Sequence, residues 1–435
     1  MQNHETYAES LSSLSRLFES LNSGTASRGL DSDRSDGRDR NRSGGPESAS
    51  LSDSDISLMK LSFRSDFDPP LLHLQDRLDR TQETRGFSLQ DADENTRFSY
   101  YIVLPAGNPR PRGAVFLFHG LNEKSWDKYL PWAAALCRRT GKGIILFPIA
   151  FHMDRVPRTW TDRRTLMRLA SLRKERYPEI AEVSFINAAL SCRLHEFPGR
   201  FLLSGLQTYR DIIALTDRIA RGTHPVFPSD CGFDFFGYSI GALLAEIMLM
   251  ENPENRFAEA RGFLFCGGAT MDLMRPVSRY IMDSGAEKAL VSFMETEVSA
   301  SRGGTGNGEP GSFLQRLFGG FQRLGQCIGS MLDLREGSAV RNARLRELGP
   351  RMGAVALAGD MVMPGAGVVE TLGRFCPPGR VEVSDFPFPY SHEQPFPLGG
   401  PCGREVDDAF SHVFNRAAEV LGEDAGTRYL EDRPA

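Results

Sequence analysis

Residues 233–250 read FDFFGYSIGALLAEIMLM, and the fold is decided there. Phe233 to Phe236 is a short apolar run of strand length, and Ile240 to Met250 is an apolar run of helix length. Between them stands Gly237-Tyr238-Ser239-Ile240-Gly241, a G-x-S-x-G pattern. The pattern alone arises by chance roughly 0.3 to 0.4 times in a chain of this length and composition. Its flanks carry the weight, because the motif needs a strand before it and a helix after it. Such a turn pushes the serine clear of the sheet, and side chains at either glycine would collide with neighbouring backbone. The start of the following helix favours negative charge developing near that serine.

Outward from this turn, the periodicity predicts alternating strands and helices. Ala114 to Phe118 is a continuous apolar run ending in His119-Gly120, as expected of a strand buried on both faces. Trp126 to Thr140 reads as a helix that stops at Gly141, and Gly143 to Ile149 as a second buried strand. Further strands are expected at Leu58 to Phe63, Phe87 to Leu89, Arg97 to Leu104, Gly262 to Phe265, Ala354 to Leu357 and Val381 to Val383. Helices are expected at Thr208 to Ala220, Val368 to Phe375 and Asp407 to Leu421. Parallel strands need such crossovers, so the fold class is α/β: a mostly parallel central sheet flanked by helices. Two segments interrupt the order, an Arg- and aromatic-rich one at about 151–203 and one at about 271–350 that contains SRGGTGNGEPGS at 301–312. Insertions in such sheets leave from loop ends, so both are expected to act as a cap over a site at the carboxyl ends of the strands. The glycine-rich stretch itself reads as a flexible surface loop.

A serine hydroxyl is a weak nucleophile at neutral pH and needs a base. Of the eight histidines, His392 stands in a loop directly after the last expected strand, in PYSHEQP at 389–395. Of the others, His4 is in the tail, His73 precedes the core, His119 belongs to the His-Gly loop, His152 follows an earlier strand, His195 and His224 are in excursions or loops, and His412 is mid-helix. An imidazole in that role needs a carboxylate to hold its tautomer. Asp360 ends the apolar run GAVALAGD at 353–360 and is the first choice, with Asp272 and Asp385 as competitors. Acyl transfer also needs N–H donors aimed at the oxyanion. These are expected from Ile240, the residue after the serine, and from Leu121 or Asn122 after Gly120, where glycine lets the backbone approach a ligand closely.

Composition bounds the rest. The 435 residues, at 40% hydrophobic and 25% charged, exclude wholesale disorder. A net charge of -5 argues against an electrostatic nucleic-acid binder. The 45 Arg against 6 Lys read as a compositional bias rather than a basic patch. Seven dispersed cysteines without C-x-x-C indicate neither a disulfide framework nor a zinc site, so no metal or other cofactor is expected and the expected compartment is a reducing cytoplasm. No secretory signal and no transmembrane run is recognisable, so stable membrane insertion is not expected. Residues 1–55 hold 14 Ser with 10 acidic and 6 basic residues. Within them 24–55 is expected to be a disordered linker. Residues 1–23 are expected to form an amphipathic helix, centred on Tyr7 to Asn22, with Leu11, Leu14, Leu17, Phe18 and Leu21 on one face. The remainder, 56–435, reads as one domain with its two insertions.

Taken together, the His119-Gly120 loop, the GYSIG elbow, the Gly359-Asp360 after the penultimate strand and His392 after the last make residues 97–422 resemble the α/β-hydrolase superfamily. The flanking segments and the HGLNEKSWD loop at 119–127 match none of its well-studied subfamilies, which points to one of its less characterised bacterial branches. The resemblance implies a Ser-dependent hydrolase with a cap and leaves the substrate open. The reading expected from it is cleavage of a carboxylic ester, or a related acyl bond, of a small or medium-sized molecule through an acyl-enzyme on Ser239, carboxylesterase- or lipase-like. Asp or Cys at the elbow would have pointed elsewhere, to dehalogenase or dienelactone chemistry. Two alternatives stand beside it: a hydrolase-like scaffold that mainly binds a partner, and a serine peptidase with an acidic subsite for which Glu175, Glu179 and Glu182 are candidates. Composition is silent on oligomeric state.

Overall fold

The computed structural model describes residues 5–23, 47–50, 55–67, 93–302, 313–335 and 337–422. They build a nine-stranded sheet in the order β1-β2-β3-β5-β4-β6-β7-β8-β9. The strands are β1 (Glu47–Ser50), β2 (Ile56–Arg64), β3 (Arg97–Pro105), β4 (Gly113–Phe118), β5 (Gly143–Leu146), β6 (Gly232–Tyr238), β7 (Gly262–Phe265), β8 (Met352–Leu357) and β9 (Val381–Ser384). From β5 to β9 all neighbours pair in parallel, whereas β1, β2 and β3 form an antiparallel edge that joins β5 through β3.

The apolar runs of β4, β5 and β8 are buried along their length except at Gly113. Successive side chains alternate between two cores, as a period of two requires. Ile102, Leu104, Phe116, Phe118, Ile145 and Phe235 belong to one, and Tyr101, Val103, Val115, Leu117, Ile144 and Phe236 to the other. The first core takes up helices α5 (Arg200–Ala220), α6 (Ile240–Glu251) and α11 (Gly365–Leu372). The second takes up α1 (Tyr7–Ser23), α2 (Tyr129–Thr140) and α12 (Gly403–Leu421). Helix α2 stops at Gly141, which adopts φ 67° and closes the last turn on the Cys137 carbonyl at 2.9 Å. This is the α/β-hydrolase fold, with helices on both faces of a mostly parallel sheet and large segments inserted at the strands' carboxyl ends.

The first insertion carries α3 (Arg163–Arg176) and α4 (Ala188–Glu196) around a small core of its own that includes Phe151, Trp160, Leu166, Leu169 and Ile180. The second carries α7 (Ser284–Arg302), α8 (Phe313–Phe318), α9 (Gln322–Ser330) and α10 (Ser338–Leu348). A buried ion pair ties the two: Arg173 donates to both carboxylate oxygens of Asp283, at 2.5 and 2.7 Å. Asp283 Oδ1 also accepts the Ala286 N–H and so caps α7.

Several expected boundaries move. The strand expected to reach Ile149 ends at Leu146, because beyond it the Ile149 and Ala150 N–H groups donate to the His119 imidazole and the Thr208 hydroxyl rather than to a neighbouring strand. The helix expected from Thr208 begins eight residues earlier, at Arg200. Of the linker expected to be disordered at 24–55, residues 24–46 and 51–54 lie outside the described residues, but Glu47–Ser50 pair with Ser57–Lys60 as an edge strand. Backbone ladder bonds require no apolar side chains, so composition gives no sign of it. The strand expected at Phe87 to Leu89 also lies outside the described residues, as do 303–312 of the loop expected at 301–312, whose first two residues instead end α7.

Candidate active site

Ser239 sits between β6 and α6 with φ 57° and ψ −124°, a conformation that costs an L-residue on the order of 1–3 kcal/mol. The surroundings hold it there. Its N–H donates to the Phe265 carbonyl on β7 at 3.1 Å, and its carbonyl accepts from Ala242 N–H at 2.9 Å. A Cβ at Gly237 would stand 2.5 Å from Ala242 Cα, and one at Gly241 would stand 2.5 Å from the Phe118 carbonyl oxygen. The two motif glycines are therefore the contact surfaces through which the elbow touches α6 and β4.

His392 and Asp360 come to this serine from the ends of β9 and β8. The Ser239 hydroxyl lies 2.7 Å from His392 Nε2, and His392 Nδ1 lies 2.7 Å from Asp360 Oδ2. All three residues are buried. Asp360 Oδ1 accepts the N–H groups of Val362 and Met363, each at 2.8 Å, which turns Oδ2 toward the imidazole. A carboxylate on Nδ1 makes that nitrogen the donor and leaves Nε2 as acceptor for the hydroxyl. The competing carboxylates are elsewhere: Asp272 is exposed and accepts from Leu334 N–H, and Asp385 accepts from the Tyr390 hydroxyl.

The loop after β4 is held from behind. The Ile149 N–H donates to His119 Nε2 at 3.0 Å, so the proton is on Nδ1, which donates to the Gly120 carbonyl at 2.8 Å. Burial pushes the His119 pKa well below the usual histidine range, and the neighbouring His152 pushes the same way, so the ring is neutral. The Gly120 N–H is taken by the Tyr129 hydroxyl at 3.0 Å, which in turn donates to Glu123. This leaves the Leu121 and Asn122 N–H groups, for which no acceptor exists among the described residues. Asn122 has φ 63°, and its side-chain amide donates to the Ile186 and Tyr280 carbonyls at 3.1 and 2.6 Å. Ile240 N–H is the first of its helix and has no intrahelical partner.

Leu121 and Ile240 also line two adjoining cavities. One, of about 970 Å³, runs between α4, α5, α6 and α9 and is walled by Leu, Ile, Phe and Met side chains. The other, of about 1000 Å³, opens along α7 past Met271, Met282, Leu290 and Met294 and has Asp272, Glu287, Glu295 and Asp333 among its lining. Among the few polar groups on the first is His152. Its Nδ1 donates to the Ala150 carbonyl at 2.9 Å, and its buried Nε2 has no partner. Burial lowers its pKa to about 4, so it presents a neutral acceptor.

Three contributors are missing from the sequence reading. The Tyr238 ring stacks on His392 at 5.5 Å between centroids, and its hydroxyl donates to the His392 carbonyl. Cys266, directly after β7, gives its thiol to the Asp360 carboxylate; burial, then that carboxylate, push its pKa well above the thiol range. Lys128 pairs with Glu123 and donates to the Glu393 carbonyl at 3.1 Å, joining the loops after β4 and β9. Tyr238 is inside the motif and was visible as the neighbour of the serine. No local pattern marks Cys266 or Lys128. Among the described residues, Cys266, Asp360 and His392 are also the one cluster whose ligand atoms lie within 4.8 Å of one another, but those atoms are engaged with each other or with Ser239.

A family model, described as a family of unknown function, DUF6051, matches residues 40–422. The chain belongs to the DUF6051 family. No curated protein matches this DUF6051 sequence. Solved structures similar to it include a peroxisomal alpha-beta-hydrolase from Saccharomyces cerevisiae, 11% identical over 87% of this chain and 93% of that one, with a TM-score of 0.40. A thermostable esterase from Pseudomonas putida is 11% identical over 85% of each chain, with a TM-score of 0.38. An esterase from Pyrobaculum calidifontis is 11% identical over 75% of this chain and 81% of that one, with a TM-score of 0.37.

Proposed function

We propose that this DUF6051 protein is a serine hydrolase that cleaves a carboxylic ester of a small or medium-sized apolar acyl group. The observation that carries the reading is the unbroken relay from the Ser239 hydroxyl through His392 to Asp360, with 2.7 Å at each link. His392 Nε2 takes the hydroxyl proton as Ser239 Oγ attacks the carbonyl carbon. The Ile240 N–H and the Leu121 or Asn122 N–H receive the developing oxyanion. His392 then returns the proton to the leaving alkoxide, and the same base activates water to release the acid. Asp360 accepts from His392 Nδ1–H and so holds the imidazolium that forms in each half of the cycle.

The apolar wall formed by Leu190, Leu194, Leu206, Leu243, Leu244 and Ile247 supports an aliphatic acyl group. It favours an ester over a peptide, whose backbone would need polar partners along the cavity. Each added methylene that enters this cavity is worth up to about 0.8 kcal/mol, or about fourfold in kcat/KM, until the cavity is full. A p-nitrophenyl ester series is therefore expected to rise from acetyl to medium chains and then fall.

The deciding experiment is labelling by a fluorophosphonate probe. Wild type is expected to label, and Ser239→Ala and His392→Ala are not. Labelling of the Ser239→Ala variant at the wild-type rate would overturn the reading.

A further inference from the structure

Helix α3 carries a surface opposite in charge to the rest of the chain. Its 14 residues, RRTLMRLASLRKER, include six cations and one anion, in a protein of net charge -5. Arg173 turns inward to Asp283, while Arg163, Arg164, Arg168, Lys174 and Arg176 are exposed, with Glu175 among them. The same outward face bears Met167 and Leu172, 50% and 44% exposed. With its own apolar face (Leu166, Leu169 and Ala170) buried in the protein, α3 presents its cations outward, and exposed Lys and Arg gain electrostatically at an anionic headgroup layer while the Met and Leu beside them add apolar contact.

Beside the helix runs an open groove of about 680 Å³. Its lining includes Met167, Lys174, Phe185, Arg279 and Tyr280. Phe185 and Tyr280 are 39% and 56% exposed, and the Arg163 guanidinium sits 5.6 Å from the Phe185 ring centre. The groove has an apolar aromatic floor and a cation on each side. It also adjoins the candidate active site. The carbonyls of Ile186 and Tyr280 hold the Asn122 side chain, and these two residues line both this groove and a separate depression that includes Leu121 and Asn122.

We propose that this face seats the protein on an anionic phospholipid surface, with α3 lying among the headgroups and the adjoining groove receiving a phosphate and the first part of its acyl chain. The chemistry favours lipid over a nucleic acid or a polyacidic peptide, because a purely anionic polymer would engage the arginines and leave Met167, Leu172 and Phe185 in water. Among the described residues no helix is long and apolar enough to cross a membrane, so this association is peripheral. The docking stands by itself; that it delivers an amphiphilic ester to Ser239 rests on the hydrolase reading.

The test is co-sedimentation of the full chain with phosphatidylcholine vesicles, with and without about 30 mol% phosphatidylglycerol. Binding is expected to the anionic vesicles and to weaken with salt, and none is expected to pure phosphatidylcholine. Each exposed cation is worth about fivefold at such a surface, so Arg163→Glu/Arg164→Glu/Arg168→Glu is expected to lose about 100-fold or more. Met167→Ser/Leu172→Ser is expected to lose at least about tenfold. Both variants are to keep wild-type kcat/KM on a soluble short-chain ester, which shows that the site is intact. Ser239→Ala is expected to bind like wild type, so failure of the hydrolase reading leaves this result untouched. Equal binding to both vesicle types, binding to neither, or an unchanged triple variant would overturn the proposal. So would equally tight binding to a polyglutamate or nucleic-acid polyanion that Met167→Ser/Leu172→Ser does not weaken, since that would assign the face to a polyanionic partner.

Discussion

At the residue scale, the distances at Asp360 make it the partner of His392. Asp360→Asn keeps the shape but offers Nδ1 the wrong donor pattern, so kcat is expected to fall by about 10⁴-fold. Asp272→Asn and Asp385→Asn, whose carboxylates serve a backbone N–H and a tyrosine hydroxyl, are expected to stay within about twofold; steady-state kinetics on one ester separates the three. Glu246 on α6 poses a different problem. It is fully buried and both carboxylate oxygens lack a partner; burial raises its pKa from 4.5 to about 8, against an opposing pull from Arg341. The folded state keeps this proton up to about pH 8, whereas the unfolded chain releases it near 4.5. Its contribution is thus complete below about pH 4.5 and is lost as pH rises through 8. Glu246→Gln, which carries no charge to bury, is expected to stabilise the protein by a few kcal/mol, on the order of 2–4, at pH 8 and by little at pH 5. Thermal melts of the two proteins at both pH values check this. If the two melting curves move in parallel between pH 5 and 8, Glu246 is not the titrating group.

At the element scale, the turn from β6 into α6 does two jobs. Its glycines let the serine stand in a strained conformation, and the helix beyond it presents Ile240, Leu243, Leu244 and Ile247 to the apolar cavity. Gly241→Ala would press a methyl group onto the Phe118 carbonyl, and backbone cannot step aside as a flexible side chain would. It is expected to lose at least about 100-fold in kcat with at most a modest change in KM, since the turn and the loop after β4 must separate. Leu244→Trp fills the cavity without touching the relay. It is expected to shift the ester optimum toward shorter chains while probe labelling is retained. The motif was readable because strand, turn and helix are contiguous in the chain. Cys266 and Lys128 were not, because what gives them a role is the approach of β8 to β7 and of the loop after β9 to α2.

At the scale of the whole molecule, α1 is a structural part of the fold. Tyr7, Leu14, Leu17 and Leu21 are buried against α2 and α12, and the Tyr7 N–H donates to Asp407 at 2.7 Å. Burying four such side chains is worth on the order of 6–12 kcal/mol, comparable to the whole stability of a domain. A chain lacking residues 1–23 is expected to melt far lower than the full chain or to aggregate on expression; a truncated protein with an unchanged melting temperature would show that α1 contributes little. The sequence by itself determined the α/β class, the strands that are apolar on both faces, and the strand ends where Ser239, Asp360 and His392 stand. These follow from local periodicity and from residues at strand termini, which a chain displays along its length. Only the tertiary structure decided that β1 pairs at the edge, that two insertions meet at Arg173 and Asp283, and that one basic helix faces outward with its Met and Leu exposed. Each of these depends on which surfaces meet across long sequence separations, and a one-dimensional pattern of apolar and polar residues does not encode that.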